Sequence, residues 1–137
     1  MATDKTKYIF SNAEYGKGRL VLAVVKKYVT EYVPTYAELK EVFPSQLQGS
    51  VGVIISEEEL SVKKESSNDS TERFFVKEDD VLITSDNVKV YVSTEWGKPN
   101  INGFINKAQE LGYDIKSIKN TLTVVLTAGA VRNGYIP

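Results

Sequence analysis

Histidine and cysteine are both absent from the 137 residues of this chain. Without histidine, the side chain that titrates near neutrality is missing, and with it the usual base of a nucleophile–base pair. Without cysteine there is no thiol nucleophile, no thiolate ligand for zinc and no disulfide frame, so stability must come from packing. Tryptophan and methionine occur once each, and proline four times. No apolar run approaches the roughly 18–20 residues that span a bilayer. The opening residues, through Tyr8-Ile-Phe10, carry no apolar core of a secretory signal. These absences predict a cytoplasmic protein that is not an enzyme, binds no cofactor or metal and makes no membrane contact. A bacterium, or a cell infected by a phage, is the expected source.

Hydrophobic residues at 42% and charged residues at 26% match globular averages, which argues for an ordered core and against wholesale disorder. The length suits one domain over 1–137. The formal net charge of −1 hides an uneven distribution. Residues 1–50 carry seven Lys/Arg against five Asp/Glu, residues 51–95 five against eleven, and residues 96–137 five against two. Basic flanks thus enclose an acidic middle, a pattern that a polar binding face or plain solvated surface can produce.

Residues 7–10 read as a short strand, followed by a turn at Ser11-Asn12. From Leu20 the apolar positions Leu20, Val21, Val24, Val25, Tyr28, Val29 and Tyr32 draw one broad helical stripe, with Lys26, Lys27, Thr30 and Glu31 on the other side. Valine is a mediocre helix former, so burial must hold this helix. Pro34 ends it, and Thr35-Tyr-Ala-Glu38 is a capping box that starts a helix over 36–43, with Leu39, Val42 and Phe43 inward. Residues 45–49 suggest one further helical turn or a loop, closed by Gly49.

Residues 51–55 are β-branched and read as a buried strand; 56–72, almost wholly polar, read as a mobile loop or hairpin tip. Strands are predicted over 73–77, 80–84 and 88–92, the last two joined by a turn at 85–87. Asn100 is the expected N-cap of a second amphipathic helix with Ile101, Phe104, Ile105, Ala108 and Leu111 inward and Gly112 as terminator. Strands follow over 113–118 and 122–127, then a tail over 128–137. The expected class is α+β, with N-terminal helices packed on an antiparallel sheet, the helix near 101–111 covering a face or edge, and a winged-helix-like order.

Several patterns invite chemistry. Gly16-Lys17-Gly18-Arg19 sits at a helix start, where backbone N–H groups with Lys17 and Arg19 suit an anion, although neither nucleotide-binding fingerprint is present. Glu57-Glu58-Glu59 and Glu78-Asp79-Asp80 offer hard-cation ligands without an EF-hand pattern, and read first as solvated segments. Asp80 with Lys89 is the nearest approach to a metal-dependent nuclease site. Eight tyrosines favour contact surfaces or the core edge; Trp96, beside Gly97 and Pro99, suits a core plug or a projecting anchor.

Two stretches occur together: Tyr15-Gly-Lys-Gly-Arg-Leu-Val-Leu22, Val25-Lys26 and Tyr28 continuing through Glu38-Leu-Lys40 to Phe43-Pro-Ser-Gln-Leu-Gln-Gly-Ser50, and Trp96-Gly97 with Asn100-Ile101, Phe104-Ile105, Ala108 and Leu111-Gly-Tyr113. Over roughly 8–118 the chain resembles a small accessory domain of bacterial restriction-type and other genome-defence proteins. The resemblance implies a DNA-associated or defence-associated module and carries over no active-site residues.

The expected function is therefore non-catalytic binding, with double-stranded DNA as the leading partner. Lys17, Arg19, Lys26 and Lys27 would meet phosphates while Gln46 and Gln48 probe bases. The alternative is a protein-interaction adaptor or phage-type inhibitor using Tyr36, Trp96 and the acidic segment. Oligomeric state is left open.

Overall fold

Leu20, Val21, Val24 and Val25 have no measurable solvent exposure, so the stripe read from sequence does face the core. In a computed structural model, which describes residues 6–66 and 73–118, they lie on helix α1 (Lys17–Tyr32). The fold is α+β. Strands β1 (Lys7–Phe10), β2 (Ala13–Tyr15) and β6 (Ile115–Ile118) form one antiparallel sheet in the order β2-β1-β6. A second antiparallel sheet, ordered β3-β5-β4, contains β3 (Ile54–Ser56), β4 (Leu82–Ile83) and β5 (Lys89–Val92). Helix α1 packs against strands of both sheets. Its last turn leaves the core: Tyr28 and Val29 are half-buried, and Tyr32 is 60% exposed.

The expected turn at Ser11-Asn12 is a tight hairpin, with both residues at positive φ and Phe10 paired with Ala13. That conformation matches the twist of the flanking strands. The Thr35 hydroxyl accepts from the Glu38 N–H and the Glu38 carboxylate from the Thr35 N–H, which completes the predicted box at the start of α2 (Tyr36–Val42). Ser45–Leu47 forms a single 3-10 turn.

A chain of rings then ties the elements together. Tyr28 meets Phe43 edge-on at 5.5 Å, Phe43 stacks on Phe104 at 5.7 Å, and Phe104 meets Trp96 at 5.3 Å. Phe104 belongs to α4 (Lys98–Glu110), which buries Ile101, Phe104 and Ala108.

Several expectations are corrected. Residues 57–66 are not loop: helix α3 (Glu57–Ser66) follows β3 directly. Ser56 and Glu59 close a second reciprocal box, the Glu59 N–H donating to Ser56 Oγ at 3.1 Å and the Ser56 N–H to Glu59 Oε1 at 3.3 Å. The three glutamates then sit at the positive end of the helix dipole, with Lys63 and Lys64 at its far end. In the expected winged-helix-like order, 56–72 would be the wing and 45–49 the recognition helix; residues 57–66 are helical instead, and Ser45–Leu47 is only a 3-10 turn.

The predicted strand 73–77 reduces to one bridge, Phe74 with Ser93. The N-cap of α4 is Gly97, and Asn100 caps from the third helical position by accepting from the Gly97 N–H at 2.8 Å. The expected strand at 122–127 and tail at 128–137 lie outside the described residues, as does the end of the expected loop at 67–72.

Candidate nucleic-acid interface

The periodicity that buries one side of α1 exposes the other. Arg19, Lys26 and Lys27 are exposed on that side, with Thr30 beyond them. At 1.5 Å rise per residue the three cations occupy about 12 Å of helix axis. Lys26 pairs with no acid among the described residues. Lys27 reaches Glu31 at 3.5 Å one turn on, a surface pair of little energy. Glu31 also accepts from the Tyr113 hydroxyl at 3.0 Å, while burial and this carboxylate push the Tyr113 phenol above its ordinary pKa.

Arg19 has a different situation. Its guanidinium donates to Asp80 Oδ1 at 2.9 Å and lies 4.6 Å above the Phe75 ring. Asp80 is buried and pairs with Arg19 rather than with Lys89, which is exposed on β5. The carboxylate singled out for metal chemistry thus neutralises a cation singled out for phosphate contact. Among the described residues, no group of three or more Asp or Glu side chains converges to hold a metal ion.

The glycine-rich start of α1 also has a packing reason. A β-carbon at Gly18 would stand 3.2 Å from Phe75 Cζ, so glycine here admits the ring that supports Arg19. Lys17 occupies the first position of α1 and is half-buried. Gly16 and Arg19 thus flank a turn covered on one side by an aromatic ring rather than an open anion cradle.

The two glutamines separate. Gln46 is exposed on the 3-10 turn. Gln48 is buried, and its side-chain oxygen accepts from the backbone N–H groups of Ser50 at 2.7 Å, Val51 at 2.6 Å and Gly52 at 3.0 Å. Its Nε2 donates to the Glu95 carbonyl at 2.7 Å. Every polar atom of this side chain is therefore committed inside the protein, which corrects its assignment as a base reader. Asn100 Nδ2 completes the knot by donating to the Gln48 carbonyl at 3.0 Å.

The residues of the adaptor reading are also structurally occupied. The Trp96 indole packs on Phe104, and its N–H donates to the Ser93 carbonyl at 3.0 Å, so it plugs the core edge. Tyr36 donates its hydroxyl to Glu59 and its backbone N–H to Asp86 at 3.1 Å. Lys40 stands 3.7 Å from Glu59 and 5.2 Å from the Tyr36 ring centroid. The Tyr36 bond holds Glu59 below the usual carboxylate range, and burial with the Glu59 charge pushes Tyr36 up. A tyrosine so shifted is a poor proton donor at neutral pH; the group serves to dock α3 on α2.

Sequence reasoning missed a cleft between α4 and the face of β1 and β6. Asn102, Asn106 and Gln109 line it from the helix, Tyr8 and Ser117 from the sheet. The signal lay in alternation: Tyr8 and Ser117 pair directly in register, so Ser117 occupies a position where the face otherwise carries Phe10 and Ile115.

No protein-family model, curated protein or solved structure matches the chain. No helix among the described residues is long and apolar enough to cross a membrane.

Proposed function

We propose that this protein is a non-catalytic binding domain that contacts double-stranded DNA through its phosphate backbone, in the DNA-associated, defence-accessory role its sequence resemblance implies. The observation that carries the reading is the exposed ridge of α1, on which Arg19, Lys26 and Lys27 follow one another over about 12 Å. That length matches three to four base pairs at roughly 3.4 Å each. With Gln48 committed internally and Gln46 alone at the turn, direct base readout has little support. The contact is accordingly sequence-independent, driven by counterion release.

Binding of a random-sequence duplex, followed by fluorescence anisotropy across a salt series, tests this. Affinity should fall steeply with salt, and a Lys26→Ala/Lys27→Ala double variant should flatten the log–log slope by about 1.8, or 0.9 per lost phosphate contact. Salt-independent binding, or an unchanged slope in the double variant, sinks the proposal.

A protein partner is the second reading. It is favoured by the end of α1, where Tyr32 and Val33 are 60% and 59% exposed side by side and Tyr32 lies 4.6 Å from the Tyr28 ring. Paired exposed apolar residues of this kind suit an interface anchor better than Trp96 does.

A further inference from the structure

Inward-facing positions on a strand alternate, so the face of β1 that buries Tyr8 and Phe10 is continued by Thr6, the residue before the strand, which lines the cleft. On β6 the same face carries buried Ile115 and exposed Ser117. Towards one end of the sheet, then, the positions facing α4 change from apolar to small and polar. The helix answers in kind: Lys98, Asn102, Asn106 and Gln109 follow one ridge of α4, beside the buried stripe of Ile101, Phe104 and Ala108. Large apolar side chains here would have closed the seam. Instead a cleft of about 410 Å³ remains. That volume falls within the roughly 300–1,000 Å³ of small-molecule sites.

The lining describes its ligand. Tyr8, Ile101, Ile105 and Ile115 supply an apolar wall against which a flat ring can lie. The Asn102 and Asn106 carboxamides have no side-chain partners among the described residues, and each offers a donor and an acceptor. Among the described residues, Lys98 is the one charged group in the lining, and it pairs with no acid. It occupies the first turn of α4, where the helix dipole also favours an anion. Among the described residues no carboxylate lines the cleft.

We infer that this cleft is a binding site for a ligand of the nucleoside monophosphate class, with the heterocycle against the apolar wall, its polar edge on Asn102 and Asn106, and its phosphate at Lys98. The site shares no residue with the α1 ridge, so the two proposals stand or fall separately.

Calorimetric titration of the full chain with AMP, CMP, GMP and UMP tests it, with the matching nucleosides and inorganic phosphate as comparison probes and amide NMR to locate the contact. At least one monophosphate should bind saturably and shift amides of 98–109 and 115–117. An Asn102→Ala/Asn106→Ala variant should weaken that binding by about tenfold or more. Lys98→Ala should weaken the monophosphate and leave its nucleoside unchanged. Alanine at exposed helical positions favours the helix, so loss of binding is not loss of fold, which a thermal melt checks. Absence of saturation for all four at millimolar concentration overturns the inference. So does binding of inorganic phosphate as tight as the nucleotide's, full affinity in either variant, or a footprint confined to α1.

Discussion

Arg19 and Asp80 are 61 residues apart in sequence and joined by a 2.9 Å charged hydrogen bond that fastens the start of α1 to the segment before β4. Asp80's side chain is 11% exposed and Arg19's 51% exposed, so the acid is held inside while the cation stays at the surface. Asp80 thereby competes with phosphate for a charge that the α1 ridge presents. Asp80→Asn should cost about 1–2 kcal/mol of stability, as expected for a charge-assisted bond with one exposed partner. The same change should steepen the salt dependence of DNA binding by up to about 0.9, one phosphate's worth. Anisotropy titrations of the two proteins check it; an identical slope would mean that Arg19 stays off the DNA.

Gln48 offers a sharper separation of structure from recognition. Removing its carboxamide in Gln48→Ala strands three backbone N–H groups, while the Glu95 carbonyl keeps Asn100 Nδ2 at 3.3 Å. A loss of about 3 kcal/mol is expected, given roughly 1–3 kcal/mol for each buried polar group left unsatisfied and partial rescue by water. Urea unfolding measures it. Gln46→Ala, on the exposed face of the same turn, should change stability by less than about 0.5 kcal/mol.

Val33 ends α1 in the left-handed conformation, with φ 47° and ψ 55°. A β-branched residue rarely adopts it, and with 59% exposure Val33 recovers little by packing. Val33→Gly should therefore stabilise the protein by about 1 kcal/mol, raising Tm by about 4 °C. A melting temperature that falls would show that the exposed valine is held by contacts its exposure does not reveal.

The Tyr36–Glu59 bond predicts a stability profile with two falling limbs. Glu59 titrates below its usual 4.5 in the folded protein, so its contribution is complete above that pH and is lost as pH falls through the lowered value. Tyr36 titrates above its usual 10.0, so its contribution is complete below that pH and is lost as pH rises through the raised value. With the Glu59 side chain 48% exposed, solvent screening limits the pair to about 0.5 kcal/mol. Melts from acid to alkaline pH should show both limbs shallower in Glu59→Gln than in the parent. Superimposable profiles would assign the pH dependence elsewhere.

Sequence order made some of this legible. The α1 stripe and the Thr35–Glu38 box depend on spacings of three and four residues, which a linear reading samples directly. Ser56–Glu59 follows the same capping grammar, yet α3 went unread. Its only large apolar residues are half-buried Leu60 and Val62, 60% exposed, so it has no core stripe. The helix is held instead by polar reach to other elements: Tyr36 to Glu59, and Tyr91 to Glu57 at 3.4 Å. Such partners lie 23 and 34 residues away and leave no local period.

The candidate interface was legible in its exposed cations and illegible in their restraints. Lys26 and Lys27 face solvent because the opposite side of α1 is apolar, a fact contained in the helix itself. The attachment of Arg19 to Asp80 depends on a contact 61 residues distant, and Gln48, whose oxygen bonds nearby Ser50, Val51 and Gly52, reaches with its Nε2 to Glu95, 47 residues away. The cleft was hidden for a related reason. Ser117 reads as an ordinary polar residue until β1 is laid beside it and Tyr8 becomes its partner.

The pairing of β1 with β6 joins Lys7 to Ile118. On the ribosome, therefore, β1 pairs with β2 at once but waits for β6 until synthesis has reached residue 118. Until then the edge of β1 that β6 pairs stays open, because closing so long a loop comes before any contact that rewards it. A nascent chain stalled short of that point should be the form that chaperones hold and proteases cut.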